Sequence, residues 1–566
     1  MLKGVGASAG IGIGNVLVLE DISLEYTPHE VTDTAAETTR FKDAVDRFIK
    51  NTEKQAKKLL ETTGEKEARI LEGHISMIND PYMQSEIEKQ IASGTCAEEA
   101  LENMCNMFIG VFSAADDDFT RQRAADVRDV KAGVLGELLG VKEIDLSEVP
   151  ADTVLVTREL TPSMTAGIKK ENIAGIITET GGKTSHSAIL ARALEIPAVL
   201  SVPDISEHFK NEDKVIVDGT AGNIILNPDK KTLAEYTAMR ETFIAEKNAL
   251  EVFRGKKTLN ADGKEYELFC NIGKPEDAVK AVECDGEGVG LFRTEFLFMD
   301  RTSLPNEEEQ FEAYKKAAII LKGKPLIIRT LDIGGDKEIE YLGLEKEENP
   351  FMGYRAIRYC IDNKELFKTQ IRAILRASVY GDVRIMFPLV TCIDEVRQGK
   401  RIVEECKAEL KLQGKGYNND IKVGIMTETA AAAVIADLLA KECDFFSIGT
   451  NDLTGYTMSC DRGNDKVSYL YSHFQPAVLR MIEKIIKSAN EQGIPVGMCG
   501  EAAADPMLIP ILISFGLTEF SVSPVSTLKV RKEIAKWTKE KADEITAHVM
   551  SLKTQGEVAE YLKTQI

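Results

Sequence analysis

Hydrophobic spacing divides the chain into regions of different texture. Over residues 32–139 apolar positions recur with helical period, and strand patterns are nearly absent. Phe41, Val45, Phe48, Ile49, Ala56, Leu59 and Leu60 fall on one helical stripe. Ile70, Leu71, Ile75 and Ile78 form a second, interrupted by His74 and ending at the breaker Asp80-Pro81. On either side the pattern changes to short strand-like runs, at 15–19 before the block and at 153–157, 174–178, 198–201, 215–217 and 223–226 after it. The simplest organisation is a small α/β domain, residues 1–21 and 145–230, interrupted by an inserted all-α helical domain, residues 22–144. Residues 231–254 read as one long charged helix, and 231–260 as a linker.

Residues 261–566 show eight short apolar runs, mostly followed by helix patterns: 267–270, 288–292, 326–329, 383–387, 423–426, 445–448, 495–498 and 520–522. Eight strand–helix units in about 300 residues is the count and length of a (β/α)8 TIM barrel, whose active site lies at the C-terminal ends of the strands. Those ends carry Asn271, Arg293-Thr-Glu295, Arg329-Thr-Leu-Asp332, Pro388, Thr427-Glu428, Gly449-Thr-Asn451-Asp452 and Cys499-Gly-Glu501. Arginines, carboxylates, an amide and a thiol thus converge on one face.

Composition narrows the setting. The 566 residues carry 70 Lys and Arg against 91 Asp and Glu, a net charge of −21, which repels phosphate backbones and argues against nucleic acid as a partner. The block 22–144 holds 15 basic and 24 acidic residues, a net −9. No apolar run approaches the roughly 20 residues of a membrane helix, so no membrane insertion is expected. The first residues lack the apolar core of a signal peptide, and the ten scattered cysteines contain no C-x-x-C pair. A cytoplasmic, reducing setting is the expectation.

Several positions can carry chemistry. In Gly181-Gly-Lys-Thr-Ser-His186-Ser-Ala-Ile-Leu-Ala-Arg192, two glycines precede a polar turn and a helix opens at the histidine. The positive end of the helix would stabilise a phosphate on the imidazole, which is a competent nucleophile toward a phosphoryl group. A merely solvated first-turn histidine fits the same spacing. A P-loop is excluded, because Gly182-Lys183-Thr184 would need glycine where Ile177 stands. Gly4, Gly6, Gly10, Gly12 and Gly14 miss the dinucleotide fingerprint at Ala9 and read as turns and close packing. Arg293 and Arg329 follow neighbouring barrel strands and suit a substrate bearing carboxylate and phosphate. Glu428 and Asp452, past the fifth and sixth strands, form the carboxylate pair of a Mg2+ site, the alternative being salt bridges at strand ends. Cys499, at the tip of the seventh strand, reads either as a buried structural thiol or as an acid/base.

These segments together resemble a known family. The His186 segment is similar to the phosphohistidine motif of enzymes that use phosphoenolpyruvate. Asp444-Phe-Phe-Ser-Ile-Gly-Thr-Asn-Asp-Leu-Thr454 and Gly497-Met-Cys-Gly-Glu501 resemble the barrel motifs of the same group. With the segments 291–301 (Leu-Phe-Arg-Thr-Glu-Phe-Leu-Phe-Met-Asp-Arg), 329–337 (Arg-Thr-Leu-Asp-Ile-Gly-Gly-Asp-Lys) and 349–355 (Asn-Pro-Phe-Met-Gly-Tyr-Arg), the resemblance is to the enzyme I family of the bacterial sugar phosphotransferase system, over essentially the whole chain.

The resemblance implies that His186 is phosphorylated by phosphoenolpyruvate and passes the group to a histidine of the carrier HPr, releasing pyruvate, as the first step of sugar uptake. It implies that Arg293, Arg329 and Arg462 bind phosphoenolpyruvate, with Asn451 and Asp452 contacting its phosphate or carboxylate. Glu428 and Asp452 would hold Mg2+, and Cys499 would protonate the enolate carbon. Residues 22–144 would dock HPr, with His74 a candidate contact or else a satisfied histidine at the edge of the helix core, and 261–566 would form a homodimer. The family usually has proline after Glu428-Thr429; here Ala430 stands there, which predicts a change in local stiffness. A dikinase needs an ATP-binding domain of about two hundred residues, for which there is no room or motif. A nitrogen-regulatory variant needs an extra sensory domain. A regulator that has lost catalysis would not keep every position carried over.

Overall fold

The computed structural model describes residues 2–19, 24–62, 65–113, 118–141, 146, 149–160, 164, 169–182, 185–299, 301, 303–334, 339–345, 347–461 and 464–566. It divides into two compact units, Met1–Lys247 and Asn248–Ile566.

The first unit contains an eight-stranded mixed sheet built from β1 (Leu2–Lys3), β2 (Val5–Ser8), β3 (Ile11–Leu19), β4 (Thr153–Thr157), β5 (Ile173–Thr178), β6 (Ala198–Leu200), β7 (Lys214–Asp218) and β8 (Asn223–Leu226), in the order β1-β8-β7-β3-β4-β5-β6-β2. Strands β3 to β6 run parallel, and β2, β7 and β8 pair antiparallel. The sheet is buried on both faces, so its strands read as continuous apolar runs. Val154 and Val156 face one core with Ile177, Val199 and Val217, while Leu155 faces the other with Ile176, Leu190 and Leu200.

The opening glycines are a correction to the sequence reading. Most lie inside strands rather than turns, and only Gly10 has a positive φ, +127°. Close packing does hold: a Cβ at Gly12 or Gly14 would lie 2.0 Å from the carbonyl oxygens of Ala174 and Asp152 respectively. Side chains there would push β3 away from its neighbours.

Between β3 and β4 run the helices Thr34–Thr62, Glu65–Ile78, Pro81–Ala92, Ala97–Ser113 and Asp118–Leu139. Phe41, Val45, Ile78, Met83, Ile87 and Leu101 share their core. The breaker starts the third helix: Asp80 caps it, accepting from the Met83 amide at 2.9 Å, and Pro81 takes the first position, where no backbone donor is needed. His74 is 3% exposed, with Nε2 3.7 Å from Asp126, so its ring does not lie on the helical surface as a docking contact would. The helix Lys230–Glu251 buries none of its residues.

The second unit is the eight-stranded barrel, closed and parallel throughout. Its strands are β9 (Glu267–Ile272), β10 (Val289–Phe292), β11 (Leu326–Arg329), β12 (Val383–Phe387), β13 (Val423–Thr427), β14 (Phe446–Gly449), β15 (Val496–Cys499) and β16 (Glu519–Val522). All eight apolar runs became strands, because closure buries both faces of each. The architecture is therefore α/β multidomain, with an α/β sheet unit bearing helices and a TIM barrel. Among the described residues no helix is long and apolar enough to cross a membrane.

Candidate active site

The barrel brings its charged strand ends together. Arg329, the last residue of β11, has 11% of its side chain exposed and is gripped by two carboxylates. Its Nη2 donates to Glu295 Oε1 at 2.6 Å, and its Nη1 lies 2.8 Å from Asp332 Oδ2. Arg355 donates Nε and Nη2 to Asp332 Oδ1 at 3.1 and 2.6 Å, and its Nη2 is 3.5 Å from Asp452 Oδ2. Burial disfavours both guanidinium cations, but Glu295 and Asp332 outweigh it for Arg329, and Asp332 and Asp452 for Arg355, so both pKa values rise. Burial also works against the Asp332 carboxylate, yet Arg329 and Arg355 hold it below its ordinary range. Arg293, just past β10, keeps an exposed side chain at the same end.

One side chain of the outer helix Lys364–Ala377 ties the two arginine-bearing turns together. Gln370 is fully buried; its Nε2 donates to Thr294 Oγ1 at 3.2 Å, and its Oε1 accepts from the Leu331 amide at 2.9 Å. Thr294 in turn donates to the Arg329 carbonyl at 2.9 Å. The backbone after β10 is thereby locked to the backbone after β11.

Glu428 is 2% exposed, and its Oε1 accepts from the Leu389 amide at 2.7 Å. Burial raises its carboxyl well above the ordinary range, and the charges of Asp452 and Asp332 add to the rise. Two carboxylates that repel each other beside buried arginines are the donor chemistry a hard divalent cation takes. Among the described residues no three His, Cys, Asp or Glu side chains form a ready cage, so substrate and water oxygens would complete the coordination. The residues fit such an ion. Thr429 caps the following helix, accepting from the Ala432 amide at 3.0 Å, and Ala430 takes the first helical position, which a proline also suits.

Cys499 ends β15 at 3% exposure, among Leu291, Ile327, Met386, Met426 and Phe445. Burial pushes its thiol up to about 11, partly offset by a hydrogen bond from Ser447. The thiol is therefore buried and protonated near neutral pH, which meets both sequence readings. Asn451 lies in the first turn of the helix Thr450–Met458, and its carbonyl accepts from Tyr471 Oη at 3.1 Å. A cavity of about 340 Å3 is lined there by Thr450, Asn451, Tyr471, His473, Glu501 and Asp505.

In the other unit the helix His186–Ala193 opens at the histidine, with Ser185 capping it by accepting from the Ala188 amide at 3.3 Å. Gly181 has φ +105°, and a Cβ there would meet Ser185 Oγ at 2.9 Å, so the turn that presents the helix needs glycine. Ser187 exchanges hydrogen bonds with the Leu160 backbone at 3.2 and 3.3 Å, and Ala188, Leu190 and Ala191 bury the helix against the sheet. The His186 side chain and Arg462 lie outside the described residues.

The structure thus gathers Arg293, Arg329, Glu428, Asn451, Asp452 and Cys499 at one end of the barrel. Sequence reasoning gave no role to Glu295, Asp332 or Arg355. All three stand in the quoted segments, but only the closed barrel shows that they pair.

Comparison with known proteins finds related domains along the chain. The model of the PEP-utilising enzyme, PEP-binding domain, matches residues 247–539; that of the N-terminal domain matches 3–123, and that of the mobile domain 149–222. The phosphoenolpyruvate-protein phosphotransferase of Bacillus subtilis is 44% identical over 99% of each chain. That of Geobacillus stearothermophilus is 46% identical over 99% of this chain and 97% of its own. The chain belongs to the phosphoenolpyruvate-protein phosphotransferase family. A solved structure of an enzyme I protein, 36% identical, covers 43% of this chain and 99% of its own, with a TM-score of 0.39. Membership supplies a reason for keeping so many buried charges at one barrel mouth, where they cost desolvation.

Proposed function

We propose that the protein transfers the phosphoryl group of phosphoenolpyruvate to His186 and from there to a histidine of HPr, releasing pyruvate, as the first step of sugar uptake. The observation that carries the reading is the gathering, at one barrel mouth, of the clamped arginines Arg329 and Arg355 with Glu428 and Asp452, two carboxylates whose charges oppose each other. Phosphoryl transfer needs positioning and charge neutralisation more than covalent chemistry. Arg293, Arg329 and Arg462 bind the phosphate and carboxylate of the substrate, and Asn451 and Asp452 orient it. Arg329 arrives already fixed by Glu295 and Asp332, so little reorganisation accompanies binding. Mg2+, held by Glu428 and Asp452, would neutralise phosphate charge and steady the enolate oxygen. The neutral imidazole of His186 attacks phosphorus, the bridging P–O bond breaks, and the pyruvate enolate is left. The Cys499 thiol then donates its proton to the enolate carbon.

In this reading residues 1–21 and 145–230 carry the phosphohistidine and 22–144 dock HPr. The segment 231–260 links, and 261–566 bind phosphoenolpyruvate and form the homodimer of a cytoplasmic enzyme. The net −9 of the helical block would steer a carrier with a basic face, less effectively at high salt. His186→Ala tests the core of the proposal: it should abolish acid-labile, base-stable labelling from radioactive phosphoenolpyruvate while substrate binding persists. Such label on the variant would overturn the assignment.

A further inference from the structure

The thiol at the tip of β15 has a partner one layer below it in the barrel. Ser447 is fully buried in the middle of β14, opposite Met426 on β13 and Gly497 on β15. Its Oγ donates to Cys499 Sγ at 3.4 Å, and Cys499 Sγ donates to the Ile448 carbonyl at 3.6 Å. Leu291, Ile327, Met386, Met426 and Phe445 form the apolar cluster in which the sulfur is buried. Because the serine gives its hydrogen to the sulfur, the thiol's own hydrogen remains the one it can hand on.

We infer that Ser447 is a positioning residue for the protonation half of the reaction: it fixes the Cys499 sulfur and stabilises the thiolate formed when the proton leaves. The inference rests on the acid role given to Cys499 above. When Cys499 protonates the enolate, the S–H bond breaks and a C–H bond forms at the methylene carbon. The enolate oxygen becomes the carbonyl of pyruvate, and the negative charge passes to sulfur. That charge appears inside an apolar wall, where Glu428 opposes it at longer range and Arg329 and Arg293 favour it. The Ser447 hydrogen bond is a weak neutral contact before transfer and a charge-assisted one after it, so it strengthens as the reaction proceeds. A proton from solvent water restores the thiol once pyruvate has left. The phosphoryl transfer that precedes this step makes no use of Ser447.

The test compares Ser447→Ala, Ser447→Thr and Cys499→Ala in the full-length protein with Mg2+. Two rates are followed: labelling of His186 by phosphoenolpyruvate, and appearance of pyruvate in H2O and D2O. Loss of one hydrogen bond to a charged acceptor predicts pyruvate formation in Ser447→Ala slower by about 10- to 100-fold. It also predicts labelling at the wild-type rate and a larger solvent isotope effect. Ser447→Thr keeps the hydroxyl on a residue suited to a strand and should restore the rate. Equal slowing of both steps would mark Ser447 as merely structural and overturn the inference, as would unchanged pyruvate formation in Ser447→Ala when Cys499→Ala abolishes it. Wild-type pyruvate formation in Cys499→Ala would instead refute the acid role itself, and the inference with it.

Discussion

The opposite end of the barrel carries a group whose titration should govern stability. Glu519 opens β16 at 3% exposure, and its Oε1 has no hydrogen-bond partner. Two glycines make room for it: a Cβ would lie 2.3 Å from that oxygen at Gly290, and 2.8 Å from the carboxyl carbon at Gly497. Burial pushes the carboxyl up to about 8; Glu267, its register partner on β9, adds to the rise, and Arg384 on β12, itself bonded to Asp382, opposes it. Because the folded value lies above the unfolded one, the folded state binds the extra proton and stability falls as pH rises. An unfolded value of about 4.3 and a cost of about 1.4 kcal/mol per pH unit make the loss about 5 kcal/mol between pH ~4 and pH ~8. That is a large share of a domain's typical stability of about 5–15 kcal/mol. Glu519→Gln keeps the shape and removes the charge, so the variant should gain on the wild type by about 1.4 kcal/mol per pH unit across that window. The assay is guanidinium unfolding at a series of pH values, followed by the fluorescence of Trp537. This is the chain's one tryptophan, 7% exposed in the barrel core, so the signal reports this unit. Parallel stability–pH curves for the two proteins would refute the reasoning.

Three further outcomes follow from the same geometry. Glu428→Ala or Asp452→Ala should cut turnover roughly 100-fold or raise the Mg2+ requirement, read from pyruvate release against Mg2+ concentration; an unchanged Mg2+ dependence places the metal elsewhere. Arg329→Met leaves the largely buried Glu295, 15% exposed, without its cation and should cost up to about 3 kcal/mol in unfolding experiments as well as substrate binding; wild-type stability would show that the pair contributes nothing. Sedimentation should show a homodimer favoured by phosphoenolpyruvate and Mg2+, and a monomer at every concentration with both present would count against the barrel as the dimerising part.

Much of the architecture was legible because it is written in local periodicity. The eight barrel runs, the helical stripes at Phe41–Val45 and Leu71–Ile78, and the helix opening at His186 are one-dimensional patterns fixed by the spacing of side chains along a strand or helix. The strand-end rule also placed Arg293, Arg329, Glu428, Asn451, Asp452 and Cys499 on one face before any coordinates. The opening glycines were harder. They lie in strands because β3 packs against the carbonyls of Asp152 and Ala174, more than 130 residues away, and a glycine-rich run carries no alternation of its own. His74, in sequence either a carrier contact or a histidine at the edge of the helix core, is in the interior, with Asp126 from a later helix beside it. The charge pairing was out of reach for the same reason. That Asp332 joins Arg329 to Arg355, that Gln370 locks two turns together, that Glu519 rests in a cradle of two glycines and that Ser447 faces Cys499 all depend on which strands become neighbours. The sequence by itself determined the elements, their order and the residue types at the strand ends. Barrel closure decided which of those groups share a low-dielectric interior, and there a few ångströms set whether a charge is paired, repelled or held neutral.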